Sequence, residues 1–130
     1  MKTTPRRPKR ATSTKPKKIR FDIISIFSQI FESYLKESLI GRAQKKGILE
    51  IKAHALRSYA SDKHRKVDDT PFGGGAGMVL KIEPIFKAVG SILRNSKSQI
   101  LNSKRRVILF STRGEHLDSK TARRLAKYDQ

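Results

Sequence analysis

The apolar positions of this chain fall into short runs of differing period, separated by polar stretches. IRFDIISIF, residues 19–27, is dense in Ile and Phe with imperfect alternation, and predicts a buried strand. Ser28 follows as a candidate N-cap, after which Ile30, Phe31, Tyr34, Leu35 and Leu39 recur at helical spacing up to a stop at Gly47. Gly41 lies inside that run and predicts a break into two helical pieces. ILEIKAHAL, residues 48–56, alternates Ile and Leu with Glu and Lys and predicts a second strand with one wetter face.

From Arg57 to Met78 the pattern stops. RSYASDKHRKVDDTPFGGGAGM carries neither period and predicts a long loop, a feature that is usually functional or disordered. Pro84 then stands where the first turn of a helix tolerates it, and Ile85, Phe86, Val89, Ile92 and Leu93 predict that helix's apolar stripe. Residues 95–104 form a polar linker, RRVILF (105–110) predicts a third strand ending in the turn STRG (111–114), and Asp118 caps a last helix to about Lys127. Strands alternating with helices predict an α/β domain with a mainly parallel sheet. Ligands in such sheets sit beyond the carboxyl ends of the strands, so residues 57–77 and 111–116 become the candidate loops.

Composition changes this picture mainly at the N-terminus. Residues 1–18 combine Lys and Arg with three prolines and no large apolar residue after Met1, which predicts a disordered basic tail ahead of a domain over 19–130. The whole chain carries a net charge of +19, and residues 21–130 alone still carry +10, the balance expected of a polyanion binder. A merely solvated basic surface is the alternative. Without cysteine there are no disulfides or thiolate metal sites. No apolar run approaches the ~20 residues of a membrane span, and no apolar stretch follows the basic start as in a secretory signal. A soluble, cytoplasmic protein is expected.

Candidate chemistry concentrates in the loop. The glycines of GGGAG let backbone N–H groups approach an anion, and read equally as a hinge or tight turn, because neither GxGxxG nor a following GK[ST] is present. Asp62, Asp68 and Asp69 with His64 could hold a hard cation, but the better reading is structural, with Asp68 and Asp69 capping turns and pairing Arg57 or Arg65. No GxSxG elbow supports a hydrolase.

Taken together, residues 22–86, and above all DKHRKVDDTPFGGGAGM at 62–78, closely resemble the N-terminal half of the bacterial tRNA (guanine-N1)-methyltransferases. The likeness continues more loosely through RRVILFSTRG and the last helix, covering about residues 19–130. It implies a SPOUT-class α/β fold with a trefoil knot, a homodimer, tRNA as substrate, and S-adenosylmethionine as methyl donor to the guanine 3′ of the anticodon. By the same resemblance Leu109, Phe110, Ser111, Thr112, Arg113 and Gly114 form part of the cofactor pocket. Asp62, Lys63, His64, Arg65, Asp68, Asp69, Gly73, Gly74, Gly75 and Gly77 belong to a loop near the tRNA and the dimer interface.

Three departures stand out: Thr112 and Arg113 replace the family's usual Pro-Gln, and Ser28 stands where Pro is common. The third is that members of the family continue into further knot segments and a C-terminal domain that supplies the aspartate taken to deprotonate guanine N1. No residue here matches that aspartate, so these 130 residues alone are expected to be inactive. A non-enzymatic basic RNA-binding protein of the same fold is the rival reading.

Overall fold

A computed structural model describes residues 18–95 and 104–130. The expected disordered tail lies outside the described residues except for Lys18, as do residues 96–103 of the expected linker.

Strands β1 (Ile19–Ser25) and β2 (Leu49–Ala55) pair in parallel from Ile19 with Leu49 to Ser25 with Ala55. A parallel pair needs a crossover, which α1 (Ile30–Lys36) and α2 (Ser38–Lys45) supply. Gly47, at φ +68°, ends α2 as expected: its N–H donates to the Gln44 carbonyl (2.9 Å) and Ile48 N–H to the Ala43 carbonyl (3.0 Å), a Schellman closure.

Two expectations fail here. Ser28 is not the N-cap: Gln29 holds that position, without a side-chain hydrogen bond, and Ser28 instead sits in the preceding turn, where its carbonyl accepts from Phe31 N–H. Nor does Gly41 make the helix break, which falls at Glu37 and at Ser38, the latter in the left-handed region at φ +50°. Gly41 permits the break, because a Cβ there would run into the Lys36 carbonyl as α2 folds back on α1.

After β2 comes a 3₁₀ turn, Leu56–Tyr59, and then a small hairpin of β3 (Asp68–Asp69) and β4 (Val79–Leu80), paired antiparallel. The stretch read as a structureless loop is therefore partly built, and its two-residue strands are too short to show a period. Helix α3 (Ile82–Asn95) follows, with Pro84 buried in its first turn. The inward side of α3 is Pro84, Ala88 and Ile92, at i, i+4 and i+8. Phe86 and Leu93, expected in the stripe, lie on the exposed side.

The core sits between α3 and the 3₁₀ turn: Leu56, Val67 and Ala88, joined by Ile24, Ile26, Tyr59, Ala60 and Ile85. Leu56, just ahead of the candidate loop, and Val67, within it, are thus locked into the core, which anchors the loop at two points.

Residues 105–110 are not a strand. Val107, Ile108, Leu109 and Phe110 are exposed by 66, 52, 84 and 88%. A strand exists through its pairing, and here only the first residues find partners: Arg106 N–H donates to the Gln130 carbonyl (2.8 Å) and Asp129 N–H to the Lys104 carbonyl (2.7 Å). Helix α4 (Ser119–Leu125) forms as expected behind Asp118, whose carboxylate accepts from Thr121 N–H at 2.6 Å. It ends at Leu125 rather than Lys127.

Candidate functional site

The first candidate loop is shaped residue by residue. Both Asp62 carboxylate oxygens accept from Lys66 N–H at 3.1 Å, and Asp62's carbonyl accepts from Arg65 N–H at 3.0 Å. This closes a turn that holds Arg65 at φ +50°. The Lys66 amide keeps the Asp62 carboxyl below the usual carboxylate range. Val67 is then fully buried, and its carbonyl accepts from Lys81 N–H at 2.8 Å, so the chain re-enters the body at a fixed point.

Beyond the β3–β4 pair the loop tip turns through Gly73, Gly74 and Gly77 at φ +85°, +68° and +102°, conformations that favour glycine. Gly74 N–H closes a turn on the Pro71 carbonyl (3.2 Å), and Gly75 stands in open space. Phe72 is wholly exposed at this tip.

Lys63, His64, Arg65 and Lys66 are all exposed, and no ion pair engages them among the described residues. Such unpaired cations beside a glycine-rich tip suit a phosphate backbone or an unstacked base. The expected pairing of Asp68 or Asp69 with Arg57 or Arg65 is absent among the described residues; Asp69 instead accepts from the adjacent Thr70 N–H at 2.9 Å. The turn-capping duty expected of Asp68 and Asp69 falls to Asp62. No group of three His, Asp or Glu gathers to hold a metal among the described residues.

The second candidate loop is a small turn. Gly114 N–H donates to the Ser111 carbonyl and Arg113 N–H to Ser111 Oγ, each at 3.1 Å. Residues 109–114 are all exposed, and Thr112 and Arg113 ride on the outside of the turn. These residues do not by themselves enclose a nucleoside. Two surface clefts are lined by other residues: one of about 250 Å³ between α1 and β2, lined by Glu32, Leu35, Gln44 and Ile51, and one of about 380 Å³ beside α4. No hydrogen bond or ion pair joins 62–77 to 109–114 among the described residues.

Sequence reading missed a buried polar cluster on β1. The Asp22 side chain is only 5% exposed and accepts from Arg20 Nε (2.7 Å) and Nη2 (2.9 Å) and from Gln130 Nε2 (2.7 Å). It also lies 2.8 Å from His54 Nε2, whose other ring nitrogen meets Tyr59 Oη at 3.4 Å. Burial alone would raise the Asp22 carboxyl, but the hydrogen bonds from Arg20, His54 and Gln130 outweigh it and hold the group below the usual range. The signal was available: an acid within an Ile- and Phe-rich strand must find partners.

Comparison with known proteins places this geometry. The family described as tRNA (Guanine-1)-methyltransferase TrmD matches residues 19–130. The tRNA (guanine-N(1)-)-methyltransferase of Limosilactobacillus reuteri is 45% identical over 111 residues, covering 85% of this chain and 43% of that protein. Its counterpart in Geobacter metallireducens is 44% identical over 109 residues, covering 84% and 42%. A crystal structure of tRNA (m1G37) methyltransferase from Aquifex aeolicus matches with a TM-score of 0.57 at 38% identity, over 61% of this chain and 35% of that one. The chain thus spans less than half the length of the curated relatives it matches. Its parallel pair with flanking helices agrees with part of the SPOUT fold. On the match across residues 19–130, the chain belongs to the tRNA (guanine-1)-methyltransferase family.

Proposed function

We propose that this chain is the substrate-side, N-terminal part of a tRNA (guanine-N1)-methyltransferase, which transfers a methyl group from S-adenosylmethionine to the guanine 3′ of the anticodon, position 37. The observation that carries the reading is the family's long motif at 62–78, anchored by buried Val67 and presenting Lys63, Arg65 and Lys66 with no ion pair among the described residues. In this reading those cations and the Gly73–Gly77 backbone position the anticodon loop of tRNA. The turn Leu109–Gly114 supplies one wall of the cofactor pocket, and polypeptide that this chain does not span supplies the rest. A homodimer and a cytoplasmic location complete the proposal. Among the described residues no helix is long and apolar enough to cross a membrane.

The same geometry argues that the chain alone does not catalyse the transfer. Guanine N1 carries a proton that a base must take, and a useful base titrates near the working pH. Asp62 is held in the opposite state, as a carboxylate anchored on the Lys66 amide with its pKa lowered. Asp69 is engaged by Thr70 N–H. The loop positions substrate and does not take the proton.

The test incubates the 130-residue chain with S-adenosylmethionine and tRNA carrying guanine 3′ of the anticodon. No N1-methylguanine is expected, while photo-crosslinks to that tRNA map to Lys63–Lys66. Methylation by the chain alone would overturn the inactive assignment. Equal binding to any structured RNA, with a steep salt dependence, would favour the non-enzymatic RNA-binding alternative.

A further inference from the structure

Residues 104–130 carry eight Lys or Arg against three acids, and all three acids are engaged locally. Glu115 accepts from Arg124 Nη2 at 2.9 Å, the Asp118 carboxylate caps α4 on Thr121 N–H, and the Asp129 carboxylate accepts from Lys104 N–H at 3.0 Å. Lys120, Arg123 and Lys127 are exposed, and no ion pair engages them among the described residues.

Their spacing gathers them on one side. At about 100° per residue, Lys120, Arg123, Arg124 and Lys127 fall within an arc of ~100° around α4. Tyr128 N–H donates to the Leu125 carbonyl (3.0 Å), which carries the helical turn on past Lys127. Like charges three and four residues apart weaken a helix, so a bound polyanion would stabilise this one.

At its carboxyl end the charged face meets an aromatic ring. The Arg106 guanidinium lies 6.0 Å from the centroid of Tyr128, a cation–π separation. Asp129 N–H donates to the Lys104 carbonyl (2.7 Å), which fixes the segment bearing Lys104 and Arg106 beside the helix end. An anionic membrane would call for an apolar face on the same helix, and α4 has only half-buried Leu125 as a large apolar residue. Cations along a helix with an arginine-stacked tyrosine beside them fit a phosphate backbone better.

We propose that Lys120, Arg123 and Lys127, with Lys104 and Arg106 at the helix end, form a second RNA-contact surface that grips the phosphates of duplex RNA without reading sequence. It suits the stem of an RNA whose unpaired loop is held by residues 62–78. The choice of RNA among polyanions rests on the proposed function, whereas the surface itself rests on the charges and their placement.

The probe is a short blunt-ended RNA duplex, which offers phosphates but no unpaired loop, and its binding to the 130-residue chain is measured across a range of KCl concentrations. The wild-type chain is compared with Lys120→Ala/Arg123→Ala/Lys127→Ala, whose exposed helical positions accept alanine. A control, Arg42→Ala/Lys45→Ala/Lys46→Ala, removes the same charge at the exposed end of α2. The first variant should bind at least tenfold more weakly, with the slope of log K against log salt reduced by about 2–3. The control should keep most of the affinity. No duplex binding by the wild-type chain, an unchanged slope in the first variant, or equal loss in both variants overturns the surface. So does an equal need for Lys120, Arg123 and Lys127 in binding vesicles of anionic phospholipid. The duplex has no loop for residues 62–78 to hold, so failure here is distinguishable from absent crosslinks at Lys63–Lys66, the failure of the proposed function.

Discussion

The loop at 56–81 and the segment at 104–118 each carry one half of the site expected from the sequence, yet they reach different states. The loop is anchored at its start by Leu56 and part-way along by Val67, and its hairpin strands pair with each other. Its glycines and cations are free to face outward because hydrophobic contacts beneath fix the frame. The segment has the more apolar sequence, with Val107 to Phe110 in unbroken succession, and remains exposed. Apolar residues build a strand only where a backbone edge finds a continuous partner, and here the pairing stops at Arg106 and Gln130.

The comparison can be broken by mutation, beginning with the largest effect. Leu56→Ala should remove about 3 kcal/mol and loosen the loop, read by urea unfolding followed through tyrosine fluorescence; an unchanged midpoint would mean the core does not hold the loop. Asp22→Asn should lower stability by about 2–3 kcal/mol, since it leaves Arg20 largely buried without its charged partner.

The same carboxyl sets a pH dependence. Its folded pKa lies below the unfolded value, so its contribution is complete above about pH 4 and is lost as pH falls through the folded pKa. Thermal melts should therefore decline on acidification below that value, and the Asp22→Asn variant should decline less steeply.

Asp118→Ala should fray the start of α4, seen as a small loss of helical circular dichroism without global unfolding. Smallest of all, Leu109→Ser in the exposed segment should change stability by under about 0.5 kcal/mol. It should nonetheless reduce self-association in sedimentation, because it thins an exposed apolar run.

How much was legible follows the same division. The parallel pair, the crossover helices, the Gly47 closure and the Asp118 cap each depend on local chemistry, and each was readable from spacing alone. The hairpin was not, because Asp68–Asp69 and Val79–Leu80 owe their pairing to the buried Val67 between distant elements. The exposed state of 105–110 was unreadable for the converse reason: an apolar run announces a strand but not whether neighbours exist to receive it. Asp22 was passed over although an acid in a strand signals a partner; the partners, His54 and Gln130, lie far away in sequence. The 62–78 motif was recognisable as a block, while its division of labour, with Asp62 shaping the turn rather than Asp68 or Asp69, needed the coordinates.

The central proposal is that residues 62–78 serve the substrate and that residues 109–114 form only one wall of a cofactor pocket. Calorimetric titration of S-adenosylmethionine into the purified 130-residue protein tests it most directly. The exposed turn at 109–114 should give no saturable heat, while a saturable one-to-one isotherm with micromolar affinity would contradict the account.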